Sequence, residues 1–443
     1  MAEVRISSLS WGGAGLGRIE GKVVFVPQTL PGEVVQVELL HSKKSYCHGK
    51  LIRVLEASHD RIEPACSFYQ ECGGCQLQHL ELHKQVQEKE RLFKQALDHA
   101  LNTKETLVYP ALTSPSAYGY RHRLHLKTAW KNNRFTMGFF RPKSHDIVPI
   151  DRCLLANSEV NEVLEILQEK IPDLKQSQWT PEIELQGFDR PRRRGIVFSS
   201  PKKLSRSQQK RITEGLFSDL KLNYLLFHES PHFPLVGENP FTLEKDSLGF
   251  TFPALDTGLG QDIRLTCFPL VFTQVNQELN RRLIAQLLSR NLFDERDIIL
   301  DLYCGLGNFT LPVSLKVKEI IGLERFPLAV DNARLNQKIN QIFNCTFIQT
   351  DVEKGIHQSN LGNLPISMVI LDPPRTGARE IIPFLDVWDL KGILYISCDP
   401  MTLVRDLAQL TERGWKVEWS QPVDFFPQTF HLESVTFLKK INN

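Results

Sequence analysis

Residues 1 to about 62 alternate between apolar and polar positions in short runs, such as 22–26 and 33–39, with a Pro31-Gly32 turn between those two runs. Side chains two positions apart share one face of a strand, so this alternation predicts β-strands with one buried face. Short strands with turn signals are typical of a small barrel of the oligonucleotide-binding type. The pattern therefore predicts an all-β unit at the start of the chain.

A different periodicity begins at His79 and runs to about Leu101, where Leu92, Phe93 and Ala96 recur at helical spacing. This spacing predicts an amphipathic helix. From about residue 272 onward, short apolar runs alternate with helical patterns, which is the signature of a doubly wound α/β domain. The strands predicted for this domain cover residues 297–302, 319–323, 345–349, 367–371, 392–397, 415–419 and 434–439.

Residues 106 to about 265 mix short strands and helices without a strong repeat, but they contain two basic stretches. In the first, alternation predicts that Arg121, Arg123 and His125 share one strand face, where they are candidates for holding phosphates. The second, Arg-Pro-Arg-Arg-Arg at 190–194, predicts a solvated loop. A third group of basic side chains lies on the later barrel strands, where a nucleic-acid surface and a plain solvated face are both possible: Lys43, Lys44, His48, Lys50 and Arg53.

The 443 residues include 53 Lys and Arg against 51 Asp and Glu, so the net charge is only +2. A nucleic-acid surface on this chain must therefore be local. The length favours about two to four domains. No apolar run approaches the roughly 20 residues of a membrane helix, and the first residues lack the form of a signal peptide. We expect a cytoplasmic protein that does not associate with a membrane. Its nine cysteines are expected to serve thiol or metal chemistry rather than disulfides.

The predicted strand 297–302 runs into a glycine-rich turn, Tyr303-Cys304-Gly305-Leu306-Gly307-Asn308. Such a turn lets a ligand approach the backbone closely. An acid about 20 residues later suits ribose hydroxyls, and no phosphate-cradling motif is present. S-adenosylmethionine therefore suits this edge better than a dinucleotide, with these polar residues at or near the strand ends: Asp301, Tyr303, Asn308, Glu324, Asp351 and Asp372.

Cys398 ends the apolar run 392–397, and Pro400 opens a helical pattern directly after it. Ligands of open α/β sheets bind at the carboxyl ends of the strands, so this thiol is well placed to be a nucleophile on the cofactor edge. The amino end of the following helix is expected to favour the thiolate. Glu433, just before the last strand, is either a general base close to the thiol or a plain strand-edge carboxylate.

Cys66, Cys72 and Cys75 lie close together in the sequence, and Cys153 is a distant fourth. Four thiolates suit either zinc or a [4Fe–4S] cluster, and the spacing does not choose between them. Cys47, Cys267, Cys304 and Cys345 are expected to be ordinary buried thiols.

Taken together, the segments 371–377 (Leu-Asp-Pro-Pro-Arg-Thr-Gly), 397–400 (Ser-Cys-Asp-Pro) and 431–434 (His-Leu-Glu-Ser) resemble those of the RNA uracil-C5 methyltransferase family. The turn at 301–310 is similar to the cofactor turn of that family, and Gln274-Val275-Asn276 is similar to a family segment that also touches the cofactor. The N-terminal barrel resembles an RNA-binding TRAM domain. The four cysteines resemble the iron–sulfur ligands of the branch that acts on large-subunit ribosomal RNA.

One residue departs from that branch. Many of its members have alanine where this chain has Pro374, whereas the tRNA branch often has two prolines there. The tRNA branch usually lacks both the barrel and the cysteine cluster, however. These two modules therefore favour the ribosomal branch.

This resemblance implies a TRAM barrel over residues 1–62, a central α+β domain with the iron–sulfur site over 63–270, and a Rossmann-like class I methyltransferase domain over 271–443. The helix near 80–105 is expected to pack on the C-terminal domain. The implied activity is S-adenosylmethionine-dependent methylation of uracil C5 in 23S ribosomal RNA by a monomer. A tRNA uracil-C5 methyltransferase and a catalytically inactive RNA-binding assembly factor are the alternatives.

The resemblance also assigns roles to residues. It implies that Cys398 attacks C6 of the uracil and that Glu433 removes the C5 proton. The cofactor-binding residues that it implies are Gln274, Tyr303, Asn308, Glu324, Asp351 and Asp372. Asp372 is also implied to orient the pyrimidine, with Gln274 and Arg375 as candidate helpers. The implied cluster ligands are Cys66, Cys72, Cys75 and Cys153.

Overall fold

The computed structural model describes residues 1–103, 105–131, 134–170, 179–189, 192–202, 204–228, 235–236, 248–254, 258, 260–358 and 360–441. These residues form a closed five-stranded barrel, a seven-stranded sheet, a two-stranded hairpin and an eight-stranded sheet. No helix among them is both long and apolar enough to span a lipid bilayer.

The N-terminal barrel confirms the predicted all-β unit. Its strands close in the order β1-β2-β3-β5-β4, and Val24 and Val26 fill its interior. Gly17 lets β1 and β2 approach each other, because a Cβ atom there would lie 2.2 Å from Val4 Cγ1. The strands are β1 (Ala2–Leu9), β2 (Gly15–Ile19), β3 (Lys22–Val26), β4 (Val34–Ser42) and β5 (Tyr46–Glu56).

The central part of the chain builds the seven-stranded sheet, in the order β13-β12-β11-β10-β7-β8-β9. Helices α2 and α3 cover this sheet with buried side chains such as Val160, Leu164 and Leu216. The hairpin β14–β15 follows and leads to an irregular segment at 268–276. The elements are β7 (Arg123–Lys131), β8 (Arg134–Phe140), β9 (Ile147–Pro149), α2 (Ser158–Lys170), β10 (Glu182–Asp189), β11 (Arg192–Ser199), α3 (Arg206–Leu220), β12 (Tyr224–His228), β13 (Leu235–Val236), β14 (Leu248–Phe252) and β15 (Ile263–Cys267).

The second basic stretch is not the solvated loop that the sequence predicts. Residues 192–199 form β11, while 190 and 191 lie outside the described residues. Arg194 is buried, and its guanidinium pairs with Glu159 at 2.6 Å and also with Glu162. Both acids come from α2, more than 30 residues away in sequence, so the local pattern did not reveal them.

The C-terminal part confirms the doubly wound pattern. Strands β16 to β20 pair in parallel, whereas β22 runs antiparallel between β20 and β21. The sheet order is β18-β17-β16-β19-β20-β22-β21-β6. Its elements are β6 (Leu112–Thr113), α4 (Gln277–Ser289), β16 (Ile298–Leu302), α5 (Thr310–Ser314), β17 (Glu319–Glu324), α6 (Pro327–Ile339), β18 (Cys345–Gln349), α7 (Val352–Gln358), β19 (Met368–Leu371), β20 (Gly392–Ser397), α8 (Pro400–Glu412), β21 (Trp415–Asp424) and β22 (Glu433–Lys440).

Helix α1 (Leu82–Ala100) packs on this C-terminal sheet although it lies far from it in sequence. Phe93 and Leu97 are fully buried in a core that they share with the sheet and α8. The Lys89 ammonium donates to the Asp424 carboxylate at 2.7 Å, and both side chains are almost completely buried. The predicted helix is therefore confirmed, and it is anchored to the segment that precedes β22.

Candidate active site

The strand register brings Cys398 and Glu433 to the same edge of the sheet. Cys398 directly follows β20, and Glu433 is the first residue of β22. These strands are antiparallel, with Ser397 opposite Ser434. The residues that flank this pair therefore lie side by side although 35 positions separate them in sequence.

Both residues open into a cleft of about 1170 Å³ at the carboxyl ends of the parallel strands. The cleft gathers the catalytic and cofactor-binding residues that the resemblance implies, whereas Asp301 does not line it. Its lining includes Gln274, Tyr303, Asn308, Glu324, Asp351, Asp372, Cys398 and Glu433.

The glycine-rich turn after β16 has positive φ angles at three positions, a conformation that glycine adopts readily. Gly305 and Gly307 have φ values of 55° and 90°, and Tyr303 has a φ of 66°. The Gly305 N–H donates to the Glu324 carboxylate at 3.2 Å, which ties the turn to the end of β17. The turn thus leaves backbone exposed to the cleft beside an acidic side chain.

Asp301 differs from the other polar residues of this edge because it is buried beneath the cleft. The Thr310 hydroxyl donates to its carboxylate, which fixes the start of α5. Burial raises the pKa of Asp301 to about 7. Asp301 therefore supports the structure of the turn.

Gln274 reaches the reacting edge from the irregular segment 268–276. Its Nε2 donates to Glu433 Oε2 at 3.4 Å, and the side chain is buried. Its Oε1 has no hydrogen-bond partner among the described residues. A buried amide oxygen without a partner is costly, so this acceptor is available to a donor on a bound molecule.

Three titratable side chains, those of Cys398, Asp372 and Glu433, lie together in the cleft. Burial raises the pKa of Glu433 to about 8, and the Asp372 charge adds to the effect. Burial also raises the pKa of Asp372 to about 8. A carboxyl with a pKa near 8 is a stronger base than an ordinary carboxyl once its proton has left, which suits general-base chemistry near neutral pH.

The Cys398 thiol is harder to ionise than the sequence suggests. Burial raises its pKa to about 11, with Glu433 and Asp372 adding to the shift. The helix α8 that was expected to favour the thiolate is capped by the Asp399 carboxylate, which accepts from the N–H groups of Met401 and Thr402. That charge raises the pKa of the thiol further, so the free site holds a neutral thiol.

Several residues of the cleft were missed or given only a loose role from the sequence. Phe272 is 67% exposed and lines the cleft next to Gln274, although no periodicity marks it. His431 stacks on Phe430 with ring centroids 4.2 Å apart. Arg375, considered only as a possible helper for orienting the pyrimidine, also lines the cleft.

Arg121, Arg123 and His125 all line the cleft, but Arg123 is not free to hold a phosphate. It is buried, donates to the Val271 carbonyl at 2.7 Å and faces Glu184 at 3.4 Å. Arg121 lies over the Phe426 ring at 5.4 Å. These contacts assign Arg123 to internal support, which the strand pattern alone did not indicate.

The four cysteines of the predicted metal site line one small cavity of about 90 Å³. All four are free thiols. Burial raises the pKa values of Cys72, Cys75 and Cys153, and neighbouring cysteine charges add to each shift. No group of three ligands among the described residues is arranged to hold a single metal ion. Four convergent thiols suit a multi-iron cluster in their residue type.

The other cysteines behave as expected from the sequence. Cys47, Cys267, Cys304 and Cys345 are buried free thiols. Cys304 belongs to the glycine-rich turn and touches the cleft, whereas Cys345 lies on β18 and is absent from its lining.

The parallel sheet, the glycine-rich turn and the acidic strand ends together define a class I methyltransferase domain. A family model described as tRNA (Uracil-5-)-methyltransferase matches residues 259–441, and a TRAM domain model matches residues 2–52. A solved structure of a Pyrococcus abyssi tRNA (uracil-54, C5)-methyltransferase in complex with S-adenosyl-L-homocysteine has a similar fold, with a TM-score of 0.72 at 21% identity, covering 99% of this chain and 100% of that one.

Curated relatives match along nearly the whole chain. The 23S rRNA (uracil(1939)-C(5))-methyltransferase RlmD of Vibrio cholerae is 32% identical over 438 residues, which is 99% of this chain and 96% of the relative. The protein of the same name from Legionella pneumophila is 32% identical over 440 residues, covering 98% and 96%. The chain belongs to the RNA uracil-C5 methyltransferase family.

Proposed function

We propose that this protein transfers a methyl group from S-adenosylmethionine to C5 of a uracil in 23S ribosomal RNA. The observation that carries the proposal is the placement of Cys398 and Glu433 together in the cleft beside the glycine-rich turn. The relatives in Vibrio cholerae and Legionella pneumophila are named for uracil 1939 of 23S rRNA. That uracil is the proposed target.

S-adenosylmethionine, when bound, supplies an electrophilic methyl group on sulfur. We assign its binding to the glycine-rich turn and the polar residues around it. Glu324, at the end of β17, suits the ribose hydroxyls, and Asp351, after β18, suits the adenine edge. Tyr303, Asn308, Asp372 and Gln274 complete the binding set along the cleft.

Cys398 activates the uracil because C5 is a poor nucleophile by itself. Its sulfur forms a bond to C6 as the thiol proton passes to water, and the electron pair of the C5–C6 double bond moves onto C5 and O4. C5 then takes the methyl group, which leaves S-adenosylhomocysteine behind. Glu433 accepts the C5 proton, the double bond re-forms and the carbon–sulfur bond breaks, so that the Cys398 sulfur is released and regains a proton from water. A covalent step followed by proton removal needs a nucleophile and a base on one edge, as found here.

Gln274 and Asp372 suit the polar edge of the uracil. The unpartnered Gln274 Oε1 is an acceptor for the uracil N3–H. Asp372, whose pKa is raised to about 8, supplies a carboxyl at the same place. Extraction of a stacked base costs a few kcal/mol, so contacts of this kind are needed to hold the base in the cleft.

We further propose that Cys66, Cys72, Cys75 and Cys153 hold a [4Fe–4S] cluster. All four line one cavity. Four thiolates suit either zinc or a [4Fe–4S] cluster, and the resemblance to the branch that acts on large-subunit ribosomal RNA favours the cluster. Protein purified without oxygen is expected to contain about four irons and labile sulfide per chain; iron-free protein with bound zinc would overturn this assignment.

We propose that the chain divides near residues 62 and 270 into the barrel, a cluster-bearing central domain and the methyltransferase domain. All of the proposed reacting residues come from one chain, which supports action as a monomer. Ribosomal RNA is a cytoplasmic substrate, which supports a cytoplasmic location.

Mapping of 5-methyluridine in RNA from cells with and without the gene tests the substrate. Loss of the mark from 23S rRNA alone, restored by the wild-type gene and not by Cys398→Ala, is the expected result. Loss from tRNA would assign the protein to the alternative substrate. If no RNA mark changes and calorimetry with S-adenosylmethionine shows no binding, an inactive assembly factor would be the better description.

A further inference from the structure

The segment that presents Gln274 to Glu433 has no regular secondary structure between β15 and α4. Leu270 within it has a φ of 67°, an unusual conformation for a leucine. Because this segment is neither a helix nor a strand, its own backbone hydrogen bonds do not fix the position of the Gln274 side chain. Gln274 therefore depends on contacts from elsewhere in the chain.

Those contacts come from three consecutive residues that lead into β7, of which only Arg123 belongs to the strand. Arg121 forms an isolated bridge with Asn276, and Arg123 binds the Val271 carbonyl at 2.7 Å. Between them, His122 contacts the residues on both sides of Gln274. Its Nδ1 lies 3.0 Å from the Val275 carbonyl, and its Nε2 lies 3.0 Å from Thr273 Oγ1.

The geometry determines where the His122 proton sits. A carbonyl oxygen only accepts hydrogen bonds, so Nδ1 carries the hydrogen and donates to Val275. Nε2 is then the acceptor for the Thr273 hydroxyl. His122 is only 3% exposed, and burial together with the Arg123 charge lowers its pKa to about 3. The Phe188 ring lies 4.6 Å from the imidazole and fixes its orientation.

We propose that His122 is a positioning residue, which holds Thr273 and Val275 so that Gln274 faces Glu433 and the uracil. The inference rests on the proposed function, since it assigns His122 an effect on the methyl transfer that Gln274 serves. His122 does not line the cleft, so it acts through the segment and not by touching the substrate.

The test is a double-mutant cycle between His122 and Gln274, with methyl transfer to 23S rRNA fragments measured as kcat and KM. His122→Phe keeps a ring of similar size against Phe188 and keeps the bond from the main-chain N–H to the Val275 carbonyl at 3.4 Å, but it removes both side-chain hydrogen bonds. We expect kcat to fall about 10- to 100-fold, close to the effect of Gln274→Ala, and S-adenosylmethionine affinity to change no more than it does in Gln274→Ala. In the Gln274→Ala background, His122→Phe should have little further effect, because residues that act through one contact are not additive.

A rescue variant separates positioning from simple structural support. His122→Asn retains a donor near the Val275 carbonyl, so it should restore part of kcat relative to His122→Phe. Thr273→Val, which removes only the hydroxyl, should reproduce part of the loss. Additive kcat losses in the cycle, or a fall in melting temperature without a change in kcat, would overturn the role of His122. If wild-type protein methylates no uracil, the proposed function fails instead, and the two outcomes are distinct.

Discussion

At the residue scale, the fold raises the pKa of three groups in the cleft above their values in water. Burial raises the pKa of Glu433 and Asp372 to about 8 and that of Cys398 to about 11. The sequence pattern predicted Cys398 as a candidate nucleophile, whereas it left Glu433 open as a base or a strand-edge carboxylate, and only the family resemblance implied the base role. The sequence did not predict the pKa direction for Cys398, because that depends on the burial of the thiol and on carboxylates that the fold brings in after β19 and at the start of β22.

Replacement of the thiol tests the covalent step. With RNA that carries 5-fluorouridine at the target, wild-type protein should form a complex that survives denaturing gel electrophoresis, since fluorine cannot leave as a proton does. Cys398→Ala should form none. Cys345→Ala is a matched control, because Cys345 is buried on β18 away from the cleft, and it should trap RNA as wild type does. Trapping by Cys398→Ala would show that another group attacks C6.

Glu433→Gln should allow Cys398 to attack the uracil but should prevent release of the methylated RNA. The amide cannot accept the C5 proton, so methylated RNA should remain bound to Cys398 with unmodified uracil as substrate. The change also removes a negative charge that raises the pKa of the thiol, so the adduct should form at lower pH than the wild-type trap. Normal turnover by this variant would remove Glu433 from the base role.

The same carboxyl predicts a pH-dependent stability difference. The pKa of Glu433 is raised by folding, so its stabilising effect is complete below its unfolded value of about 4.5 and disappears as the pH rises through about 8. Glu433→Gln avoids the cost of a buried charge. Its melting temperature should therefore exceed that of wild type by a few degrees at pH 9, on the order expected for about 1–2 kcal/mol, and by less at pH 5. Melting curves at both pH values provide the comparison.

At the scale of elements, the sequence predicted the bounds of the strongly periodic strands within a few residues. It did not predict which distant residues their side chains would contact. The strand 392–397 and the helix from Pro400 lie where the pattern placed them. Arg123 and Arg194 both looked like phosphate-binding or solvated groups, but the fold buries them against distant acceptors. Pairing partners far apart in sequence leave no local signal, which is why the interior roles of these arginines were missed.

The buried pair between α1 and β21 provides a test at this scale. Lys89→Met leaves the Asp424 carboxylate buried without its partner, so we expect a loss of about 3–5 kcal/mol in unfolding free energy. Asp424→Asn added to Lys89→Met should recover part of that loss, because the stranded charge is gone. Denaturant unfolding measures both. A loss below about 1 kcal/mol for Lys89→Met would mean that water reaches the pair.

At the scale of the whole molecule, the segment that carries Cys66, Cys72 and Cys75 is in direct contact with the loop that leads to Glu433. The N–H groups of Gln76 and Leu77 both donate to the Gln428 carbonyl, at 3.1 and 3.0 Å. Gln85 of α1 also binds Gln428. The loop from 424 to 432 is therefore braced from two sides before it delivers Glu433 to the cleft.

Loss of a proposed cluster ligand should therefore affect this loop. Cys75→Ser is expected to lower iron content and to speed hydrogen exchange at the Gln76 and Leu77 amides by tenfold or more, because the bonds to Gln428 loosen. Cys47→Ala, in the barrel core, is the control and should leave these amides protected. Unchanged exchange in iron-free Cys75→Ser would show that the loop is braced without the cluster.

The antiparallel ladder between β20 and β22 has a consequence for how the chain can change over evolutionary time. Because Ser397 faces Ser434 across the ladder, the distance from Cys398 to Glu433 does not depend on how much chain connects them. Helix α8 and the loop after β21 can therefore lengthen or shorten without separating the proposed nucleophile from the proposed base. A shift of the ladder by one residue, in contrast, would turn Glu433 to the opposite face of the sheet. Tolerance to insertion and intolerance to slippage should thus coexist within the same 35 residues.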